Sequence, residues 1–428
     1  MDKKHPKVFY GWWIVSACFL ITLYTGGIIF YGFTAIFEPI ANEFGWSYTQ
    51  ISLAASLRGL EMSLLAPFIG ILADRWGPKR LIFSGVVITA VGLILLSYAM
   101  SLAMFYGAFI LIAIGIGGCS VTVLMIAVVN WFRRHVGIAS GIVVSGFGFS
   151  GLLVPVIVTL IEMYGWRLTM TILALGMLAI VLPLSLLVRH KPEQYGYLPY
   201  GQVEGSVTLD NSLSPAQAVG VDVKVKQVLK NSTFWCIALA FTFHVMVSHA
   251  IITHVMPYLS SIGVARSSSS LVATAIPLTS IGGRLGLGWL GDKLDRRRVA
   301  AGALAMMGLG LLCFGYVSVG ETWLLVPFLI LFGIGYGGAI SLRTSLVREF
   351  FGRSNFGTVF GLLIGINMLG GVIGPPVAGW VYDNWGSYEG IWLAFAGLVV
   401  IAVVLVAAIP RPRSSPARGQ LEGTTSIG

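Results

Sequence analysis

Apolar runs of membrane-spanning length alternate with short charged clusters along almost the whole chain. Each run is long enough for an α-helix that crosses a hydrocarbon core of about 30 Å. The pattern therefore predicts an all-α membrane protein with twelve transmembrane helices. The twelve apolar segments lie at residues 10–37, 46–73, 80–100, 102–131, 136–161, 166–188, 231–260, 267–291, 299–318, 322–346, 355–381 and 387–409.

The second half of the chain repeats the first. The stretch GILADRWGPKR at the end of segment 2 returns as GWLGDKLDRRR at the end of segment 8. The repeat superposes charged residues in three pairs, Asp74 on Asp292, Arg75 on Lys293 and Arg80 on Arg298. Internal repetition of this kind is typical of secondary transporters, in which two similar bundles move about a central site.

The repeat and the composition together predict four regions. Residues 1–188 and 231–410 form two six-helix bundles, since each contains six of the apolar segments. The stretch at 189–230 is rich in Pro, Gly, Gln, Ser and Asp, which is typical of a linker loop and not of a domain. The polar residues at 411–428 are expected to form a mobile cytoplasmic tail.

Charge distribution adds an orientation. Only 10% of the residues are charged and 56% are hydrophobic, so the chain cannot build a soluble surface. Most of the 27 Lys and Arg residues fall in the loops of one side, and the opposite loops hold only Arg167 and Arg266. The positive-inside rule then predicts a multi-pass protein of the cytoplasmic (inner) cell membrane with both termini in the cytoplasm. The net charge of +10 fits an anionic inner leaflet and requires no nucleic-acid partner.

Motifs for nucleotides, metals and catalysis are missing or out of place. No GxxxxGK[ST] occurs, and the GxGxxG match at 146–151 lies inside a spanning segment, where small residues favour close helix packing. The residues His244, His249 and His254 are five positions apart, so they cannot share one face of a helix and predict no metal site. No HExxH or nucleophile with a base lies in the spanning segments. We therefore predict a protein without cofactor or metal that is not an enzyme.

The loop after segment 2 resembles the signature loop of the major facilitator superfamily. Three further stretches look like the monocarboxylate porter group, which also includes the bacterial oxalate:formate antiporters. They are YGWW at 10–13, WFRR at 131–134 with the glycines that follow, and KPEQYGYLP at 191–199. The resemblance implies a monomeric secondary transporter whose partners are a small monocarboxylate anion, a proton and the lipid bilayer. It also implies that the loops of the repeat, with Asp74, Arg75, Arg80, Asp292, Lys293 and Arg298, gate the cytoplasmic side.

Chemistry is expected from ionisable residues inside the membrane, because each costs about 2.5 to 3.5 kcal/mol at a helix centre on insertion scales. Arg284 in segment 8 has Ser280 and Gly288 at the flanking turn positions, so its own helix offers no acid. A guanidinium without a local partner is suited to bind a carboxylate in a bidentate pair. The resemblance implies the same role for an arginine in this segment. The alternative is an ion pair with a distant helix or snorkelling to the headgroups.

A second intramembrane pair lies in segment 2. Arg58 and Glu61 are three residues apart and share a helix face, so they either neutralise each other or carry the transported proton. His249 is a further candidate for the proton. Arg343, close to the cytoplasmic end of segment 10, is expected to gate or anchor rather than to bind substrate. Polar residues that could complete a substrate pocket are Tyr24, Tyr31, Ser120, Thr122, His249, Tyr336 and Asn367.

Two departures from the family pattern bear on the substrate. The oxalate:formate type is expected to carry a lysine in segment 11, and residues 355–381 contain no Lys or Arg. One buried cation fits one carboxylate, which favours lactate, pyruvate or acetate over oxalate. Animal-type porters are similar in having an aspartate where this chain has Ser280, so proton coupling depends on Glu61 or a histidine. The leading hypothesis is proton–monocarboxylate symport, with carboxylate exchange and a non-transporting sensor of an organic acid as alternatives.

Overall fold

The computed structural model describes residues 9–190, 192–195, 197–200, 228–351 and 356–410. Within the helices, the side chains at positions 58, 60–64, 66, 67, 70, 71, 74, 319, 356 and 358 are outside the description. Most of the predicted linker, together with the predicted tail at 411–428, therefore lies outside the described residues.

The described chain is helical, and its successive long helices run in alternating directions between the same two ends of the structure. The first four long helices are α1 (Tyr10–Phe44), α2 (Tyr48–Trp76), α3 (Pro78–Ser97) and α4 (Leu102–Trp131). A continuous stretch from Val136 to Leu187 follows, and Gly165 divides it with non-helical angles of φ 76° and ψ 161°. Its two parts are α5 (136–164) and α6 (166–187).

The second half is built from six helices of the same kind. They are α7 (Ser232–Ser261), α8 (Arg266–Lys293), α9 (Arg296–Gly315), α10 (Leu325–Phe351), α11 (Phe356–Trp385) and α12 (Glu389–Ala407).

The prediction of an all-α membrane protein is confirmed. In the described residues, ten helices are long and apolar enough to cross a membrane. One of them contains both α5 and α6, and α2 adds a helix of 29 residues. The arrangement is therefore consistent with the twelve predicted crossings.

Glycine and capping residues define several helix ends that hydropathy alone misplaces. Segment 1 is predicted to end at 37, but α1 continues through charged residues to Phe44 and ends at Gly45, which has a φ of 64°. Glycine adopts that left-handed conformation without steric cost. Ser47 then begins α2 with a capping box, since its hydroxyl accepts from the Gln50 N–H while the Gln50 side chain accepts from the Ser47 N–H.

Helix α1 is not a regular α-helix throughout. Residues Gly26–Tyr31 form a π-helical turn, and they pack against α5. A Cβ at Gly27 would lie 2.5 Å from a methyl carbon of Leu153, so glycine is needed for this approach. π-helical turns inside α-helices are frequent at functional sites. Here the turn ends on Tyr31, one of the residues predicted to bind substrate.

Hydrogen bonds between the two halves lie at one end of the described structure, which we call the closed end. Asp383 at the end of α11 accepts the backbone N–H groups of Tyr48 and Thr49 at the start of α2, both at 2.8 Å. Close packing accompanies this cap, because a Cβ at Gly379 would lie 2.8 Å from the Tyr48 carbonyl carbon. Ser56 of α2 also donates to the Val372 carbonyl of α11 at 2.5 Å.

The other helices of the interface also meet at the closed end. Met256 of α7 donates its backbone N–H to the Thr34 hydroxyl of α1 at 3.2 Å. Thr274 of α8 donates to the Gly151 carbonyl of α5 at 3.0 Å. The basic loops that follow α2 and α8 lie at the opposite end, which we call the open end. The halves are thus joined where the chain has few basic residues.

Both basic residues of the sparsely charged side have defined partners. Arg167 forms a 2.7 Å ion pair with Glu43 within the first half. Arg266 donates to the Ala35 carbonyl at 2.5 Å and so links α8 to α1. These two exceptions to the charge asymmetry therefore hold helices together at the closed end.

The Asp383 cap gives a first prediction. Asp383→Ala should weaken the closed end, because a capping side chain contributes about 1 kcal/mol and a charge at a helix N-terminus up to about 1 kcal/mol more. A change of 1 to 2 kcal/mol alters a two-state ratio by about 5- to 30-fold. Spin labels at Tyr98→Cys and Tyr316→Cys, in loops at this end, should report a larger population of molecules in which the two halves have separated at the closed end.

Asn384→Ala is the matched control for this prediction. Asn384 is the next residue, and its side chain donates only to the Trp380 carbonyl of its own helix, at 2.8 Å. It should leave the distance distribution unchanged. Identical distributions for Asp383→Ala and the parent protein would contradict the role given to the cap.

Candidate functional site

Helices α8 and α10 approach each other closely because glycines line their contact. A Cβ at Gly337 would overlap the Ser280 carbonyl, and one at Gly283 would overlap the Ile334 carbonyl. Ser341 of α10 also donates to the Arg284 carbonyl at 3.2 Å. The backbone on both sides of Arg284 is therefore held against α10.

Arg284 belongs to a group of polar side chains contributed by both halves. The Tyr31 hydroxyl of α1 interacts electrostatically with Arg284 and with Tyr336 of α10. Tyr31 is only 2% exposed, and its ring packs against Phe30 and Phe147 with centroids 5.2 and 5.4 Å apart. The structure thus brings together three of the residues that the sequence predicts for substrate binding.

The buried Nε of Arg284 has no hydrogen-bond partner in the described part of the chain. The Tyr31 hydroxyl beside it is within hydrogen-bonding reach of Tyr336. Buried polar atoms are normally satisfied, and an unsatisfied one costs about 1 to 3 kcal/mol. A carboxylate can accept hydrogen bonds from a hydroxyl and from a guanidinium. The guanidinium and the hydroxyl groups beside it therefore suit a small anion.

His244 supports Tyr336 and was not predicted as a site residue. Its ring stacks on that of Tyr336 with a centroid distance of 5.7 Å and an interplanar angle of 16°. Its Nε2 lies 3.3 Å from the Tyr336 carbonyl oxygen. The ring of Phe332, one turn earlier on α10, lies nearly parallel to Tyr336 at 6.2 Å. The sequence predicted no metal site at His244 and left a histidine of this segment as a possible proton carrier, and the spacing gives no sign of the contact with Tyr336.

Asn367 is placed against a second arginine. It is fully buried, and in the orientation that satisfies both ends of its amide the nitrogen donates to the Ala238 carbonyl at 3.0 Å. The amide oxygen then accepts from Nη1 of Arg343 at 3.2 Å. The Cζ of Arg343 lies 5.7 Å from the ring centroid of Phe360. Asn367 is therefore a hydrogen-bond partner of Arg343.

Of the remaining pocket candidates, His249 lies next to the group and interacts electrostatically with His244, whereas the others lie elsewhere. The His249 ring packs edge-on to Phe30 at 5.4 Å. Ser120 precedes the second part of α4, Val121–Trp131, at a break in that helix. Tyr24 donates to the Leu173 carbonyl at 3.0 Å, inside the first half. Thr122, in the same part of α4, is exposed.

The proton and gating candidates stand as follows. Arg58, Glu61 and Asp74 have side chains outside the described residues, so their roles stay predictions. Arg75, Arg80 and Arg298 are exposed, and the Lys293 ammonium lies 3.9 Å from the ring centroid of Trp289.

Acid–base pairs at the open end of the second half lie within that half. Arg296 lies 3.5 Å from Asp292 and 3.6 Å from Glu349 at the end of α10. Asp295 caps α9 and pairs with Arg297 at 2.6 Å. The hydrogen bond from Arg297 lowers the pKa of the Asp295 carboxyl. In this conformation, the described charges of the loop stabilise one half and do not bridge to the other.

Guanidinium and hydroxyl groups between two helix bundles, in a structure joined at one end, are the arrangement of a secondary transporter. The sequence model of the Major Facilitator Superfamily matches residues 13–261 and 245–427. The chain belongs to the Major Facilitator Superfamily. It is a membrane transporter and not an enzyme, as the sequence predicts.

Relatives in sequence agree with the narrower resemblance. Monocarboxylate transporter 12 from Xenopus laevis is 25% identical over 418 residues, which cover 95% of this chain and 90% of that protein. Monocarboxylate transporter 7 from Homo sapiens is 21% identical over 459 residues, covering 94% of this chain and 87% of that protein. The predicted resemblance to the monocarboxylate porter group is confirmed.

Solved structures show the same fold. A bacterial homolog of the human lysosomal transporter Spinster, in an inward-facing and occupied conformation, gives a TM-score of 0.73 at 18% identity, covering 94% of this chain and 96% of that one. The nucleoside transporter NupG gives 0.75 at 14% identity, covering 94% of this chain and 100% of that one.

The contact between α8 and α10 gives a second prediction. Gly337→Ala places a methyl group on the Ser280 carbonyl, so the two helices must separate and Arg284 must move relative to Tyr336. Overpacking of this kind costs about 1 to 3 kcal/mol. The melting temperature in detergent and the affinity for a carboxylate should both fall.

Gly286→Ala on α8 is the control, because a Cβ there would have no neighbour within 4 Å. It should keep the parental affinity and melt at the same temperature or above, since alanine favours the helix. Equal behaviour of the two variants would show that the close approach does not position the site.

Proposed function

We propose that this protein is a secondary transporter that moves a small monocarboxylate with a proton across the cytoplasmic membrane by alternating access. The observation that carries the proposal is Arg284, a guanidinium that faces Tyr31 of the other half and has no acid partner among the described residues. A carboxylate would supply the missing acceptor, and it would bridge the two halves. Its binding would therefore be coupled to their relative position.

The orientation follows from the loops. Both termini and the linker at 189–230 are in the cytoplasm, with bundles at 1–188 and 231–410 on either side of the substrate. The open end carries the basic loops, so the described conformation is inward-facing, with its closed end toward the outside. Substrate bound at Arg284 would exchange with the cytoplasm in this state.

Lactate, pyruvate or acetate is the proposed class of substrate. Arg284 offers a planar fork for one carboxylate, and Tyr31 and Tyr336 can donate to the same group. The names of the relatives, monocarboxylate transporters 12 and 7, support the class without identifying the acid. Glu61 is the proposed proton carrier because α8 has Ser280 where an aspartate would be expected.

Exchange of one carboxylate for another is the second candidate. It is favoured by one observation: Arg284 interacts with the Tyr31 hydroxyl, which in turn interacts with Tyr336, and no carboxylate of the described residues forms an ion pair with Arg284. A site without an acid can exchange anions without moving protons. The pH dependence of accumulation separates the two mechanisms.

Replacement of Arg284 gives the third prediction. Arg284→Lys keeps the charge but loses the bidentate fork, so binding of L-lactate, pyruvate and acetate by purified protein should fall at least tenfold, about 1.4 kcal/mol. Arg296→Lys is the control, because Arg296 lies at the open end and pairs with Asp292 and Glu349. Parental affinity in Arg284→Ala would contradict the site assignment.

Coupling gives the fourth prediction. A carboxylate that enters with one proton moves no net charge, so a membrane potential should not change its accumulation in proteoliposomes. An inside-alkaline gradient of one pH unit should supply about 1.4 kcal/mol and give about tenfold accumulation. Glu61→Gln should abolish accumulation but retain exchange. Accumulation that ignores pH and requires a preloaded acid would instead establish the antiporter.

A further inference from the structure

A second guanidinium, that of Arg343, lies on α10 with Tyr336 and nearer to the open end. Arg343 is seven residues beyond Tyr336 on α10, which is about two helical turns and about 10 Å along the axis. The two side chains therefore share a face of the helix, and they interact electrostatically. Arg343 also acts on His244, the residue that stacks on Tyr336. It is part of the wall of the site and not of the loop beyond it.

The partners of Arg343 are neutral. Its Nη1 reaches the Asn367 amide oxygen, its Cζ lies near the Phe360 ring, and its buried Nε has no hydrogen-bond partner in the described part of the chain. Arg167 and Arg297, which hold elements of one half together, pair with the acids Glu43 and Asp295, whereas the structural Arg266 donates to the Ala35 carbonyl. Among the described residues, no carboxylate lies within ion-pair distance of Arg343.

A cation at membrane depth that pairs only with neutral groups retains its capacity for an anion. Ionisable residues at this depth are expensive and normally have a partner or a function. The amide of Asn367 holds one edge of the guanidinium, which leaves the other edge of the fork for a ligand. Arg343 is also partly exposed, so an ion in the cavity can reach it.

We propose that Arg343 and Asn367 form a second anion subsite, which binds the carboxylate on its path between the cytoplasm and Arg284. This inference rests on the proposed function and adds a binding step on one side of the membrane. An anion that enters from the cytoplasm meets Arg343 first and is then transferred to Arg284. An anion from outside reaches Arg284 when the closed end opens, without passing Arg343.

The test compares transport that starts from the two sides of the membrane. Efflux of radiolabelled L-lactate, pyruvate and acetate from right-side-out vesicles samples the cytoplasmic face, and influx samples the outer face. Arg343→Gln should raise the half-saturating concentration for efflux about tenfold, the effect of one charge-assisted hydrogen bond. The half-saturating concentration for influx should change less than twofold. Arg284→Lys should impair both directions, so failure of the subsite and failure of the proposed function give different results.

Arg348→Gln is the matched control. Arg348 is an exposed arginine further along α10, so its removal lowers the positive charge near the cavity mouth without touching the subsite. It should leave both half-saturating concentrations at parental values. An equal efflux defect in Arg348→Gln would reduce the effect to general electrostatic attraction and overturn the subsite.

Chemical protection tests the subsite without transport. In an Arg284→Gln background, L-lactate should slow the modification of Arg343 by phenylglyoxal, measured by mass spectrometry, and Asn367→Leu should weaken this protection. An Arg343 that reacts at the same rate with and without each of the three acids would overturn the proposal. Equal increases in the half-saturating concentrations for influx and for efflux in Arg343→Gln would also overturn the proposal, because they would indicate a gating residue.

Discussion

The close approach of α8 and α10 is the constraint on which the candidate site depends. In lipid, no hydrophobic force favours one helix neighbour over another, so small residues that permit tight packing decide which helices associate. Gly337 lies on the Ser280 carbonyl and Gly283 on that of Ile334, and no side chain could replace either glycine without moving a helix. This packing holds Arg284 against α10, so that Arg284 and Tyr336 both interact with the Tyr31 hydroxyl. A cation and a hydroxyl that are far apart in sequence thereby become one recognition group.

The contacts between the halves determine from which end the candidate site can be reached. Hydrogen bonds from α2 to α11, α1 to α7 and α5 to α8 close one end, and they use groups at helix termini and small side chains. Each such bond contributes about 0.5 to 1.5 kcal/mol, more where a charge takes part. The hydrogen bonds to the Asp383 carboxylate are the ones that involve a charge. The closed end is therefore held by a few modest interactions, which a ligand that bridges the halves could outweigh.

Paired and unpaired arginines divide the charged residues of the chain by role. Arg167, Arg296 and Arg297 have carboxylate partners, and each ties elements of one half together. Arg284 and Arg343 have none among the described residues, and each is linked electrostatically to the group around Tyr31 and Tyr336. A cation that is already neutralised cannot bind an anion strongly, whereas an unpaired one gains more in a low-dielectric cavity than in water. The pairing pattern thus distinguishes Arg284 and Arg343 from these three paired arginines, while Arg266 holds α8 to α1 through a backbone carbonyl.

Hydropathy and the repeat were sufficient to predict the helical fold, because lipid requires long apolar helices, and the motif resemblance gave the family. Arg284 stays a prediction, made because the membrane penalises unpaired charge. Tyr31 and Tyr336 were predicted as polar residues at membrane depth, but their meeting across the halves depends on the π-helical turn of α1 and on helix packing. The support from His244 was not predicted, and Arg343 was expected to gate or anchor, without its contact with Asn367. Contacts between distant helices depend on rotation and depth, and local sequence determines neither.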